Sequence, residues 1–143
     1  MVDPKNSQDL EELDDDREDE EEPQELTREQ LLMLHERLVV ERDAVKERLA
    51  KHLAEVVEDN DNLPDEMDIA SRHTEQAYLL RLADKERKLL REIDHALAKF
   101  DRAAFGICEG TGEPIGIRRL EHRPWTRYSL EYKEQLEKEK GRR

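Results

Sequence analysis

The chain has 143 residues, of which 44% are charged and only 4% aromatic, so it cannot fill a large globular core. Long exposed helices absorb such a composition, and disorder is the competing outcome. The formal charge of -13 is concentrated at one end: residues 1–25 hold thirteen Asp/Glu against Lys5 and Arg17, a net of -11, which leaves -2 for the rest.

Cys108 is the single cysteine. It excludes an intrachain disulfide and suits a reducing compartment. No apolar run approaches the roughly 20 residues a membrane span needs. The N-terminus has no hydrophobic region of the secretory kind. A soluble, cytoplasmic protein is expected.

Residues 1–25 are a low-complexity acidic segment with little to bury and are expected to be disordered. They serve either as a solubilising tail or as an arm for a basic surface, including the chain's own. The first helix is announced by Thr27 and Gln30, a capping box, with Leu26 and Leu31 placed as a hydrophobic staple. Leu31, Leu34, Leu38, Val45, Leu49, Leu53 and Val56 then recur at steps of three, four or seven, one apolar stripe on a charged helix. About 30 residues make a rod of roughly 45 Å.

The helix must stop before Pro64, which disfavours helical geometry at Leu63, and Glu58 to Asn62 carry turn chemistry. Asp65 is placed to cap a second helix running to about Asp101, with Asp68 in its first turn where the dipole favours an anion. Ile69, His73, Ala77 and Leu80, then Leu82, Leu89, Ile93, Leu97 and Phe100, mark its stripe. Two stripes of similar length joined by a short break predict an antiparallel helical hairpin. The tip, at about 58–70, is acidic. His35, His52, His73 and His95 show no ligand spacing and are read as ordinary helix residues.

After Phe100 the periodicity changes, and residues 104–117 hold four of the five glycines. Short apolar pieces between Gly and Pro predict a compact hairpin-like turn. Residues 118–128 are basic and aromatic, and Ser129 is placed to cap a last helix. The expected fold is mainly α: an acidic tail at 1–25, a hairpin at 26–101, and a small head with a C-terminal helix at 102–143.

Two stretches carry a resemblance. Leu63-Pro64-Asp65-Glu66-Met67-Asp68-Ile69-Ala70 follows a Pro-Asp-x-x-Asp-x-Ala pattern. Phe105-Gly106-Ile107-Cys108 is followed by Glu113 to Glu121, including Ile115-Gly116-Ile117-Arg118-Arg119-Leu120, and by Arg123-Pro124. In this order the chain resembles the DksA/TraR family of RNA polymerase regulators from about Thr27 to Lys138.

The resemblance implies a hairpin that enters the secondary channel of RNA polymerase and brings its tip near the catalytic centre. Asn62, Asp65, Asp68 and Ala70 match the functional tip positions. Arg81 and Lys85 match flank positions that hold polymerase, and Arg119 serves either docking or the head's own packing. Members of the DksA type also help bind the alarmone ppGpp at the polymerase interface. Arg91, Arg123 and Lys133 keep positive charge at matching positions, but Glu92 stands where those members carry Lys, a repulsive exchange beside a polyphosphate.

The departure lies at the metal site. Zinc-type members carry Cys-x2-Cys-x17-Cys-x2-Cys, where this chain has Cys108, Thr111, Ser129 and Tyr132. One thiol, two hydroxyls and a phenol do not supply the four Cys or His donors of a structural zinc. No zinc and no other resident cofactor is expected. The degenerate head would be held by Phe105, Ile107, Ile115, Ile117, Leu120, Trp125 and Tyr132.

The leading expectation is a monomeric transcription regulator that binds RNA polymerase, with no sequence-specific DNA contact and no membrane. The acid balance agrees, because a DNA-binding domain is ordinarily basic. A coiled-coil scaffold without a polymerase role is the alternative from another class. A transcript-cleavage factor of the Gre type shares the hairpin plan, but the Ile115–Glu121 string argues against it. No nucleophile–base arrangement, phosphate-cradling loop or competent metal set points to an enzyme.

Overall fold

In the computed structural model, residues 24–58 and 65–142 are described. Among them are four helices: α1 (Arg28–Glu58), α2 (Glu66–Asp101), α3 (Ile117–His122) and α4 (Leu130–Gly141). The mainly α hairpin with a small C-terminal head is borne out. The tip residues 59–64, Asn62 among them, and the acidic residues 1–23 lie outside the described residues.

α1 begins where its capping box places it. The Thr27 backbone N–H donates to Gln30 Oε1 at 2.9 Å, and the Gln30 N–H donates to Thr27 Oγ1 at 3.2 Å. Two N–H groups that the helix cannot satisfy internally are thereby satisfied. His35 meets Phe100, and His52 meets Glu86, so the two long helices run antiparallel. At 31 and 36 residues they are about 46 and 54 Å long by their rise.

The core sits at the head end of this rod. Leu34, Leu38 and Val45 of α1 pack with Ile93 and Ala96 of α2 and with Phe105, Cys108, Ile115 and Leu120 of the head. Each large apolar side chain so buried contributes about 1.5–3 kcal/mol. Phe100 stacks on Phe105 with ring centroids 4.0 Å apart, so the last turn of α2 is built into the head.

Toward the tip, the seam of α2 departs from the expected stripe. Ile69 and Leu80 are 42% and 46% exposed, and His73 and Ala77 are exposed too. The covered positions are Arg72, Gln76, Leu79 and Ala83 instead. Stepping back from Ile93 by three or four residues reaches Leu89, Glu86, Ala83, Leu79, Gln76 and Arg72, which is the helical period. Polar residues on this line broke the apolar pattern and moved the expected stripe by one position. A polar rung occupies it: Glu86, largely covered, meets His52 Nδ1 at 3.1 Å and Arg48 Nε at 3.5 Å.

α2 ends in a Schellman arrangement. Ala104 N–H donates to the Lys99 carbonyl at 2.9 Å and Ala103 N–H to the Phe100 carbonyl at 3.3 Å. Ala103 takes the left-handed position with φ 53°, where glycine is usual. The head then turns back on itself through an antiparallel bridge between Ile107 and Pro114, as the glycine-rich run predicted. The short helix α3 was not foreseen, since six residues rich in arginine give no readable period.

Candidate functional site

At the tip, Asp65 caps α2. Its carboxylate accepts the Asp68 N–H at 3.0 Å, and the Ile69 N–H reaches the Asp65 carbonyl at 3.0 Å. The cap satisfies one of the N–H groups that a helix start cannot bond internally. Asp65, Met67, Asp68 and Ala70 are all exposed, Met67 at 81%. Two carboxylates one turn apart thus stand at the end of α2 remote from the core.

Arg81 and Lys85 are exposed and four residues apart, so they share one face of α2 about 20 Å and more from Asp68 along the helix. Arg91 is exposed further down the same helix, and Arg123 is exposed on the head; Lys133 of α4 is half-buried. Arg119 is turned inward: its Nε donates to the Tyr128 carbonyl at 2.9 Å and its Nη2 to Thr126 Oγ1 at 3.3 Å. Of the two roles expected for Arg119, packing of the head is the one these contacts serve.

The joint between α2 and the head is polar, and the apolar pattern gave no sign of it. Arg127 grips Glu92 through two parallel bonds, Nε at 2.9 Å and Nη2 at 3.1 Å. Glu92 hydrogen bonding holds the guanidinium protonated beyond its ordinary range, against a smaller opposing effect of burial. One helical turn on, His95 hydrogen-bonds Glu109, and the Lys99 ammonium reaches the same carboxylate at 3.1 Å. Burial pushes the Glu109 carboxyl up, but bonds and charge from His95 and Lys99 outweigh it and hold it below its ordinary range. Lys99 is only 4% exposed. Extending Ile93 and Ala96 by three residues lands on Lys99, so the helical period marked its burial even though its type did not.

The four finger positions are brought together by contacts among themselves. Ser129 N–H donates to Cys108 Sγ at 3.3 Å, and Ser129 Oγ accepts the Tyr132 N–H at 3.3 Å as the cap of α4. Thr111 Oγ1 accepts the Glu113 N–H at 3.3 Å. Burial pushes the Cys108 thiol up, yet hydrogen bonds from the Thr111 hydroxyl and from the N–H groups of Ser129, Thr111 and Gly110 bring it down to about 7. A fold of this kind implies zinc, and the donor set does not fit one: the hydroxyls are engaged with backbone and the fourth position is a phenol. Among the described residues no three His, Cys, Asp or Glu are grouped to hold a metal.

A long helical hairpin with carboxylates at the start of its second helix and a small finger-like head defines a class of rod-shaped helical proteins. The chain belongs to the DksA family. The family model "DnaK suppressor protein DksA, N-terminal domain" matches residues 30–100, and "Prokaryotic dksA/traR C4-type zinc finger" matches residues 103–131. The RNA polymerase-binding transcription factor DksA of Caulobacter vibrioides is 35% identical over 109 residues, covering 76% of this chain and 77% of that one. Its namesake in Escherichia coli is 36% identical over 94 residues, covering 64% and 62%. Transcription factor DksA2 from Pseudomonas aeruginosa has a solved structure that superimposes with a TM-score of 0.72 at 37% identity, covering 79% of this chain and 87% of that one. Neither the scaffold nor the Gre-type alternative is favoured by these matches.

Proposed function

We propose that the chain is a transcription regulator that binds RNA polymerase and acts there without catalysing a reaction of its own. The hairpin enters a deep channel, and Asp65 and Asp68, with Ala70, approach the catalytic centre; Asn62 is assigned to the same tip by its sequence position alone. Arg81 and Lys85 hold the flank of the channel. The observation that carries the reading is the pair of exposed carboxylates on a capped helix end, set about 50 Å from a head that belongs to a polymerase-regulator family. Carboxylates delivered there perturb a partner-held Mg²⁺ or compete for basic residues around it.

The head works without zinc in this reading, because contacts among Cys108, Thr111, Ser129 and Tyr132 replace the metal's cross-link. A nucleotide such as ppGpp is bound at the polymerase interface by Arg91, Arg123 and Lys133. The Glu92 carboxylate, repulsive if bare, is neutralised by Arg127, which supports a cationic surface there despite the exchange. The protein acts as a monomer in the cytoplasm. Capture by purified core RNA polymerase tests the reading, with Asp68→Asn retaining capture and losing promoter control. Failure of the native chain to bind polymerase overturns it.

A further inference from the structure

Where α1 meets the head lies a cavity of about 420 Å³ that the reading above does not use. Its apolar lining is Met33 and Val40 of α1 with Pro124 and Trp125 of the head. Val40 is 62% exposed within it. Glu36 and Glu41 line it from α1, whereas Arg37 and His122 are the basic groups of its lining, and exposed Arg123 lies next to His122 in sequence. Arg37 donates to the Glu121 carbonyl at 2.7 Å, a neutral acceptor that leaves its positive charge uncompensated by that bond.

We propose that this hollow is the docking site of the chain's own acidic arm, with Leu10 and Leu13 seated against Trp125, Met33 and Val40. After Met1 and Val2, these two leucines are the only large apolar residues of 1–23, and they lie in a run of acids. The arm's acids face Arg37, His122 and Arg123, away from Glu36 and Glu41. The tether permits it. Leu26 packs against the head, and a Cβ on Gly106 would lie 2.8 Å from its Cδ1, so the arm departs from the head itself. Eleven residue-to-residue steps lead from Leu13 to Gln24 and span up to about 36–40 Å when extended. Arg28 to Val40 is only about 18 Å along α1. So short a leash gives an effective concentration on the order of millimolar, so even a weak contact is populated. Docked there, the arm shields Arg37, His122 and Arg123 from other anionic ligands.

Trp125 is the only tryptophan in the chain, so the groove reports on itself. Acrylamide quenching of the full-length native protein is compared with Leu10→Asp/Leu13→Asp and, separately, Val40→Asp. Both variants are expected to raise the quenching constant about twofold and red-shift the emission, since uncovering the ring wets its apolar face. Native protection is expected to survive dilution and to weaken in salt. Quenching unchanged by Leu10→Asp/Leu13→Asp overturns the proposal, and so does protection lost on dilution, which assigns the groove to a second copy. Far-ultraviolet circular dichroism is expected to stay unchanged by the substitutions at 10 and 13. The measurement needs no polymerase, and its failure leaves the reading of the tip intact.

Discussion

The Tyr132 ring lies against Gly110 so closely that a Cβ added there would sit 2.3 Å from its Cε1 and Cζ atoms. The aromatic ring at the fourth finger position rests on bare backbone. Gly110→Ala must push that ring aside, and overpacking of this kind costs about 1–3 kcal/mol. Thermal unfolding of Gly110→Ala checks it: a fall in Tm is expected, restored in part when Tyr132→Ala opens the space. EDTA is expected to leave the native Tm unchanged.

Cys108 is buried yet its thiol is brought down from the ordinary 9.0 to about 7. A depressed folded pKa contributes stability that is fully present above the unfolded value and is lost as pH falls through the folded one. Stability therefore rises between about pH 7 and 9 through this group. Denaturant unfolding of the native chain and of Cys108→Ala across that window tests it. The native slope is expected to exceed that of the variant, and equal slopes would contradict it.

Ala103 closes α2 at φ 53°, a conformation that costs an L-residue about 1–2 kcal/mol. Ala103→Gly relieves this, offset in part by glycine's greater freedom in the unfolded chain. A net gain of about 0.5–1 kcal/mol in urea unfolding is expected. A loss would mean that the Ala103 methyl packs more usefully than its exposure indicates.

Much of this architecture is written in local chemistry. Thr27 with Gln30, Asp65 with Asp68, and Ser129 with Tyr132 are short-range capping signals, and each was found where its residue types placed it. The hairpin followed from two stripes, because burial of Leu34, Leu38 and Val45 against Ile93 and Ala96 requires only helical period. Illegible were contacts between residues distant in sequence with no apolar signature. Glu92 with Arg127, and His95 with Glu109, are charges that a solvated helix face would also carry. The tip half of the seam was misread because Arg72, Gln76 and Glu86 occupy it.

Glu92 and Arg127 are each about a third exposed, so solvent screens the pair and its net worth is below about 1 kcal/mol. The proposed ppGpp surface is where its consequence shows. Arg127→Ala frees the Glu92 carboxylate and is expected to weaken ppGpp-dependent promoter control several-fold with little change in Tm. Glu92→Lys/Arg127→Glu is expected to restore it. Equal ppGpp responses in all three chains would remove Glu92 from that surface.

Where the exposed end of α2 goes when the protein meets its partner decides how it acts. A photocrosslinking side chain at Met67, 81% exposed beside Asp68, reports this directly in a complex with core RNA polymerase. Crosslinks to the catalytic-centre region, abolished when a channel-filling competitor is added, are the expected result. Crosslinks confined to the outer surface of the polymerase, or none from a chain that is fully bound, would contradict the account.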